Sequence, residues 1–435
     1  MRKNTHIAAL AAVAIIVAPM LSACGGTNSS SSQDDSTLTV WWYADQGSAE
    51  AKGWSQTIKV FQKKTGKKVK FERKSFEQIT KNGSQFLNSD KAPDVMESNR
   101  GNSSAGLLVT QGLLEDLKPY VSKYGWDKIV TGQNQIVGKY TDKGVMGGDT
   151  WYGIPTYAEM QRVYYNTDLF AKNGIPIPET YDDFVQALSQ FKAKGIVPLS
   201  EAAMEYPLQQ LWWQLVLSKA DQQFVKNYQL YKGTVDWQSE PFTYATNTIK
   251  EWLDKGYISK DVSGLKAEDA FTGFTNGSHP ILVTGTWNHG RFMDEAKNFK
   301  WESRKWPQAN IYEGATGNLL TIPKNAKHKD LAAQFINFAL TPEIQNYIGN
   351  AGGIPLTYDE SAIDDPSLKL MIDDFRKIAQ NNTLGYYPDW AGANMYDSMS
   401  SSLQQFVNGE IDSKTLLTNY EQFYKQGVQD LGVKQ

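Results

Sequence analysis

Apolar and polar positions alternate with two different periods in the first part of the chain. Period-two runs rich in β-branched and aromatic residues predict strands. Stretches with apolar residues three and four apart predict helices. Strand, helix, strand, helix, strand in quick succession favours βαβ units and a mainly parallel sheet. The predicted elements are strands at 37–43, 67–71 and 93–96, with helices at 49–64 and 76–88.

The same patterns continue to the end of the chain. A helix over 181–194 has Thr180 as its predicted N-cap, and acidic residues in its first turn suit the positive end of the helix dipole. The remaining segments give a mixed α/β chain. Extended segments are predicted at 151–157, 163–166, 280–284 and 319–323, and helices at 207–255, 329–347 and 400–428.

The N-terminal segment has the pattern of a secretory signal. Arg2 and Lys3 precede a short apolar run that ends in small residues, and the run is too short for a membrane span. The segment 21–24 resembles a bacterial lipobox, which implies removal of residues 1–23 and acylation, including palmitate, of Cys24. The Gly- and Ser-rich stretch 24–36 predicts a flexible tether. An extracytoplasmic protein held on the outer face of the cell membrane is therefore expected.

Composition excludes several classes of function. The 44 Lys and Arg residues nearly balance 47 Asp and Glu, so no basic excess supports nucleic-acid binding. Four His and one Cys leave little material for a zinc or haem site, and no metal or other cofactor is expected. The 53 aromatic residues (13 Trp, 22 Tyr and 18 Phe) suit flat ligand faces as well as core packing.

Several motifs occur in an order that is typical of one family. They are 93–95, 112–117, 152–155, 164–170, 285–287 and 322–324, the last followed by 332–340. With these motifs the chain resembles the extracellular solute-binding proteins of the carbohydrate type, the group that contains maltose-binding protein. This resemblance implies a two-lobed α/β fold with a ligand cleft between lobes that several chain crossings join. It also implies a monomer that is not an enzyme and that delivers a carbohydrate, an oligosaccharide by preference, to the permease subunits of an ABC importer.

The expected lobes are discontinuous in sequence. The first combines residues 37–153 with about 315–360, and the second combines 154–314 with about 361–435. Crossings between them are predicted near 154–157, 314–321 and 360–366, where hinge motion would close the cleft.

A sugar site needs aromatic faces for the ring and paired donors and acceptors for the hydroxyl groups. Trp287 follows a predicted buried strand and matches the Gly-x-Trp of the family, in which the Trp commonly stacks on sugar, and Asn288 is beside it. Trp42 is preferred over Trp41 because only one of two adjacent strand residues faces a given side. The remaining candidates follow predicted strand ends, the hinge, or loops of the second lobe: Tyr43, Asp45, Gln46, Glu97, Asn99, Tyr157, Gln161, Glu201, Tyr206 and Trp390.

Other functions stay open on the sequence alone. A secreted glycan-active enzyme needs two opposed carboxylates, and Asp and Glu are plentiful here. A cell-surface glycan-binding adhesin would keep the lipid anchor without a hinge. Binding of a peptide, polyamine or metal is a further alternative, which the aromatic excess disfavours relative to a sugar.

Overall fold

The protein is described from a computed structural model, which covers residues 37–433. The predicted signal sequence, the lipidation site at Cys24 and the tether lie outside the described residues. The strands are β1 Thr37–Trp42, β2 Lys68–Arg73, β3 Val95–Ser98, β4 Lys139–Tyr140, β5 Thr150–Trp151, β6 Ile154–Pro155, β7 Ala158–Asn166, β8 Ile281–Gly285, β9 Trp301–Lys305, β10 Gly314–Thr316 and β11 Leu319–Thr321.

Helices occupy most of the remaining chain. They are α1 Ala49–Thr65, α2 Phe76–Leu87, α3 Leu107–Thr110, α4 Lys118–Tyr124, α5 Thr167–Asn173, α6 Tyr181–Ala193, α7 Leu208–Lys219, α8 Gln222–Leu230, α9 Glu240–Asp254, α10 Ala267–Thr275, α11 His289–Glu295, α12 Lys329–Ala339, α13 Pro342–Asn350, α14 Pro366–Gln380, α15 Met395–Asn408 and α16 Ser413–Asp430. Between residues 37 and 433, no helix combines the length and apolar character that a membrane crossing needs.

The first sheet has the strand order β2-β1-β3-β11-β6. Strands β2, β1 and β3 run parallel, as the βαβ pattern predicts, and α1 and α2 connect them. Strands β11 and β6 join the sheet in antiparallel pairing. The carboxyl ends of β1 and β3 therefore meet at one edge, which brings the segments that follow them close together.

The second sheet is antiparallel throughout, in contrast to the parallel strands β2, β1 and β3 of the first. Its centre is β7, which pairs with β8, β9 and β10. All nine residues of β7 are buried because neighbouring strands and helices cover it on every side. Strand β9 was not predicted, since its charged residues 302, 304 and 305 hide the apolar alternation.

The chain passes between the sheets at two adjacent places. It leaves the first sheet after β6 and enters the second at β7, and it returns between β10 and β11. The Gly317 amide donates to the Tyr157 carbonyl at 2.7 Å, so the two crossings lie side by side. After α13 the chain passes to α14, which packs on β7 and β9. The exact lobe boundaries given above stay a prediction.

Local capping explains where several helices begin. The Thr180 hydroxyl accepts from the Asp183 amide, while the Asp183 carboxylate accepts from the Thr180 amide, so two free backbone N–H groups are satisfied. This pair confirms the predicted start of α6. Helix α1 begins with a simpler cap at Ser48, whose hydroxyl accepts from the Ala51 amide. That cap fixes the first turn of α1, which faces the cavity described next.

Candidate binding cavity

A cavity of about 270 Å³ lies where segments from the two sheets meet. Its wall has more aromatic residues than a site for a small ion needs. The aromatic members are Tyr43, Phe76, Tyr157, Tyr206, Phe271, Trp287, Tyr387, Trp390 and Tyr396. The polar and charged members are Asp45, Ser48, Glu50, Asn99, Arg100, Glu159, Glu205, Gln210, Thr284, Asn288 and Asn318.

Arg100 is the central charged residue of this wall. It follows β3, and its guanidinium donates to Glu159 on β7, to Asn318 in the crossing between β10 and β11, and to Asn99. The Arg100 and Glu159 side chains are only 4% and 7% exposed. Burial disfavours the charged guanidinium, but the Glu159 carboxylate and the neighbouring tyrosines together outweigh burial, so the pKa of Arg100 is raised. This ion pair joins a segment of the first sheet to a strand of the second.

Aromatic rings cover the same guanidinium. The Arg100 Cζ atom lies 4.6 Å from the centre of the Trp390 ring and 5.6 Å from that of Tyr387. Both distances are within the range of a cation–π interaction. Gly101 permits this approach, because a Cβ atom there would lie 2.4 Å from the Cβ of Trp390. The charge of Arg100 is therefore fixed in place between carboxylate, amides and rings.

Glu97 does not line the cavity but binds to backbone and side-chain groups of residues that do. Its Oε2 accepts from the backbone amides of Tyr43 and Ala44 at 2.7 and 3.1 Å, and its Oε1 accepts from Asn318 Nδ2 at 2.9 Å. Full burial raises the pKa of the Glu97 carboxyl, while these hydrogen bonds and Arg100 act in the opposite direction. Glu97 thus holds the turn after β1 and the crossing at Asn318 in a common arrangement.

Two glycines determine where aromatic rings of the wall can lie. A Cβ on Gly285 would meet the Trp287 ring at 1.8 Å, and a Cβ on Gly317 would meet the Tyr157 ring at 2.4 Å. Real Cβ atoms do not approach other atoms so closely, so each ring occupies space that only glycine leaves open. The Gly-x-Trp motif therefore has a steric reason: the ring folds back on the glycine that ends β8.

Two further buried acids, Asp389 and Glu313, have raised pKa values. Burial raises the pKa of Asp389 to about 6, against the effect of its hydrogen bond with Tyr206. Glu313 is fully buried, and neither carboxyl oxygen has a hydrogen-bond partner among the described residues. Burial raises the pKa of Glu313 well above its usual range, and the charges of Asp389 and Glu159 add to this effect. In both residues burial disfavours the carboxylate form.

The structure brings most of the sequence-predicted residues to the cavity wall and leaves the others elsewhere. Tyr43, Asp45, Asn99, Tyr157, Tyr206, Trp287, Asn288 and Trp390 line it. Trp42, Gln46, Glu97, Gln161 and Glu201 do not. Whether any of them contacts a solute stays a prediction.

Trp42 requires a correction, because its ring does not face the cavity. It is buried in the apolar core of the first sheet, stacked on Trp54 with ring centres 5.3 Å apart and on Phe71 at 3.6 Å. Alternation along β1 does separate Trp41 from Trp42, but both tryptophans pack on helices or neighbouring side chains. The cavity is instead reached by Tyr43, the first residue after the strand.

Gln161 and Glu201 are buried rather than cavity-lining. Gln161 lies in the middle of β7 opposite Gly285, and Glu201 is 2% exposed. Neither side chain has a hydrogen-bond partner among the described residues. Burial alone raises the pKa of Glu201 well above its usual range. Gln46 differs from both, because it is exposed to solvent.

Several cavity residues were missing from the sequence-based candidates. Arg100 follows β3 as Asn99 does, so the strand-end rule used for Asn99 could have found it. Glu159 adjoins the predicted hinge, and Tyr387 belongs to the aromatic loop that supplied Trp390. Glu50 and Asn318 carried no such signal, because an acid in a first helical turn is usually explained by the dipole and an Asn beside Gly by a turn.

The sequence profile of the family described as "Bacterial extracellular solute-binding protein" matches residues 41–346, which is most of the chain. The chain belongs to this family. The binding protein is therefore extracytoplasmic, and its family is one of solute binding. Within residues 37–433, no group of three or more His, Cys, Asp or Glu side chains is placed to hold a metal ion.

Individual relatives and solved structures agree with this assignment. The binding protein is 23% identical to the "Multiple sugar-binding protein" of Streptococcus mutans over 69% of each chain. It is 25% identical to the "Diacetylchitobiose binding protein DasA" of Streptomyces coelicolor, over 73% of this chain and 72% of the relative.

Among solved structures, a "Chitin oligosaccharide binding protein" is similar with a TM-score of 0.74 and 20% identity, covering 90% of this chain and 98% of the other. A maltose-bound MalE3 of T. maritima is similar with a TM-score of 0.70 and 16% identity, covering 89% and 99%. These similarities confirm the predicted two-lobed α/β fold.

Proposed function

We propose that this binding protein captures a carbohydrate in the cavity around Arg100 and delivers it to the permease of an ABC importer. One observation carries the proposal: aromatic rings and amide or carboxyl groups line the same enclosed space. The ring of Trp287, the most exposed indole of the wall, offers a flat face to the C–H surface of a sugar. Asn99, Asn288 and Asn318 can each donate to one hydroxyl group and accept from another.

The names of relatives support the same class of solute. Those compared above are described as binding multiple sugars, diacetylchitobiose, chitin oligosaccharides or maltose. Their common feature is a sugar ring with many hydroxyl groups, and the wall of this cavity has the matching chemistry. The family is one of binding proteins, so we propose capture without bond cleavage.

We further propose that the solute closes the two halves of the protein around itself. The crossings at 156–157 and 317–318 lie side by side, which is the arrangement of a hinge. A solute that touches residues from both sheets stabilises the closed arrangement more than the open one and must shift the population toward it. Small-angle scattering should then give a smaller radius of gyration with saturating sugar, and equal radii would contradict closure.

Lipid anchoring is the remaining part of the proposal. The lipobox-like segment 21–24 supports acylation of Cys24 and retention on the outer face of the cell membrane. Cys24→Ser should release the protein into the medium or leave it unprocessed. Normal processing with full membrane retention of this variant would exclude the anchor.

The central experiment is a thermal-shift screen of the purified protein against a panel of mono- and oligosaccharides. A ligand that binds only the native state raises the melting temperature by mass action, and 100-fold excess over Kd adds about 2.7 kcal/mol to the free energy of unfolding. We expect at least one saccharide to raise it in this way. No shift with any member, or hydrolysis of a member at enzymic rates, would contradict the proposed function.

A further inference from the structure

One carboxyl group of the cavity wall has only part of its hydrogen-bonding capacity satisfied by the described residues. Glu50 is the second residue of α1, it lines the cavity, and it is 3% exposed. Its Oε1 atom is buried and has no hydrogen-bond partner among the described residues. A buried, unpaired carboxyl oxygen is costly to the fold, so its retention at a cavity wall points to a partner that arrives with the solute.

Each of the other charged side chains of the wall has a partner within the protein, either an opposite charge or a backbone amide. Arg100 is the one basic side chain among the described residues that line the cavity, and Glu159 pairs with it. Asp45 is exposed and lies 3.4 Å from the guanidinium of Arg73. Glu205, the remaining acid of the wall, is only partly buried, and its carboxylate accepts from the Ala267 amide at 3.2 Å.

Of the two buried acids among the described residues of the wall, Glu159 has a cation partner and Glu50 has none. The charges of Glu159 and Glu97 both act on it, and both are negative. Burial, followed by these charges, raises the pKa of Glu50 to about 8, although its own backbone amide and Ser48 favour the carboxylate.

We infer that the solute supplies the missing cation, and that it is an amino sugar whose free ammonium group lies against the carboxylate of Glu50. This inference rests on the proposed carbohydrate function and narrows it. The ring of such a sugar uses the aromatic faces of the wall, and the ammonium group forms a charge-assisted hydrogen bond with Glu50. Tyr157, which also feels the charge of Glu50, adds an aromatic face to the same region.

Binding of an ammonium group has a measurable consequence for protons. With a pKa of about 8, Glu50 holds a proton at pH 6 in the absence of solute. A cation beside it favours the carboxylate, so the O–H bond of the carboxyl breaks and the proton passes to buffer. Binding at pH 6 should therefore release close to one proton per solute. A neutral sugar gives no such release from Glu50.

The test uses pairs of sugars that differ only in charge. One pair is the β-1,4-linked glucosamine disaccharide and its N-acetylated form, with cellobiose as the hydroxyl counterpart. Each neutral saccharide found in the thermal-shift screen forms a further pair with its amino analogue. Titration calorimetry at pH 6, in buffers of different ionisation enthalpy, gives both the affinity and the number of protons released. We expect at least one amine to bind at least 10-fold more tightly than its neutral partners, with proton release.

Glu50→Gln separates the charge of this residue from its shape. The variant should lose at least 10-fold in affinity for the amine, lose the proton release and keep its affinity for the neutral form. Glu421→Gln is the matched control, because it removes the same charge from the exposed surface of α16 and should change neither quantity. Melting temperatures of both variants show that they are folded.

Two results would overturn this inference while leaving the proposed function intact. One is that neutral sugars bind as tightly as their amino analogues in every pair, or that sugars bind and amines do not. The other is an amine preference that Glu50→Gln does not reduce. The comparison of sugars on the unmodified protein needs no variant, so it decides the question even if Glu50→Gln fails to fold. Binding of no saccharide at all would instead contradict the proposed function.

Discussion

The two sides of the cavity differ in how they present chemistry to a solute. The first-sheet side offers charged and amide groups, chiefly Glu50, Asn99 and Arg100, on segments that backbone hydrogen bonds and Glu97 hold in place. The second-sheet side is mainly aromatic, and Trp287 is its most exposed indole, since Trp390 is only 1% exposed.

The reason for this difference lies in the sheets. Parallel strands end together, so short loops after β1 and β3 carry polar groups to one point. The antiparallel second sheet has no such common edge, and its contribution comes from helix starts and from rings that fold back on glycine. We therefore expect changes on the first-sheet side to affect mainly folding stability and changes to second-sheet rings to affect mainly affinity.

The largest expected effect is on stability and concerns Arg100. Arg100→Met leaves the buried Glu159 carboxylate without its cation, and breaking a buried pair from one side costs about 3–5 kcal/mol of unfolding free energy. Urea denaturation measures this loss. The matched control is Arg73→Met, whose exposed pair with Asp45 should contribute less than about 1 kcal/mol. Similar losses in the two variants would show that the buried pair has no special role.

Adding Glu159→Gln to Arg100→Met tests the same pair from the other side. The double variant removes the stranded charge and should regain part of the lost stability. A double variant less stable than Arg100→Met would contradict this explanation.

The pH dependence of stability comes next in size. The folded-state pKa of Glu50 is raised from 4.5 to about 8, so the folded state binds the proton more tightly than the unfolded state. This stabilising effect is complete below pH 4.5 and is lost as the pH rises toward 8, by roughly 4 kcal/mol. Unfolding free energies of the native protein and Glu50→Gln at several pH values isolate this effect, since other groups titrate in both. A difference that does not change with pH would exclude a neutral Glu50.

A medium effect is expected at the crossing. Gly317→Ala places a Cβ 2.4 Å from the Tyr157 ring, and such overpacking costs about 1–3 kcal/mol. The displaced ring should also weaken the binding of the best saccharide in the screen. Gly264→Ala is the matched control, because a Cβ there meets no atom within 4 Å. Equal melting temperatures and affinities in the two variants would show that Gly317 has no steric role.

The smallest expected effect is on affinity, at Trp287. Trp287→Ala should weaken binding of the same saccharide by about 1–2 kcal/mol, as truncation of an aromatic anchor does, with little change in melting temperature. Trp42→Ala is the opposite case, because its ring is in the core and its loss should cost about 3–5 kcal/mol of stability. Unchanged affinity in Trp287→Ala would remove this ring from the binding site.

Strand-end reasoning predicted much of the first-sheet side. It placed Tyr43, Asp45 and Asn99 together because successive parallel strands end at a common edge. The same reasoning was wrong to place Trp42 at the cavity. Alternation shows which residues share a face of the strand, but it does not show which face packs on a helix. On the second-sheet side, motif and loop patterns placed Trp287 and Trp390 at the wall, whereas Gln161 lies within β7 opposite Gly285 and does not reach the cavity.

By itself, the sequence determined the class of fold, the two-lobed resemblance, the absence of a basic excess and the abundance of aromatic rings. Local periodicity and motif order carry that information. Only the tertiary structure decided which rings face the cavity and which carboxylate pairs with the guanidinium of Arg100. Burial and charge balance depend on neighbours more than a hundred residues away, as for Arg100 and Asn318, and no local pattern records them.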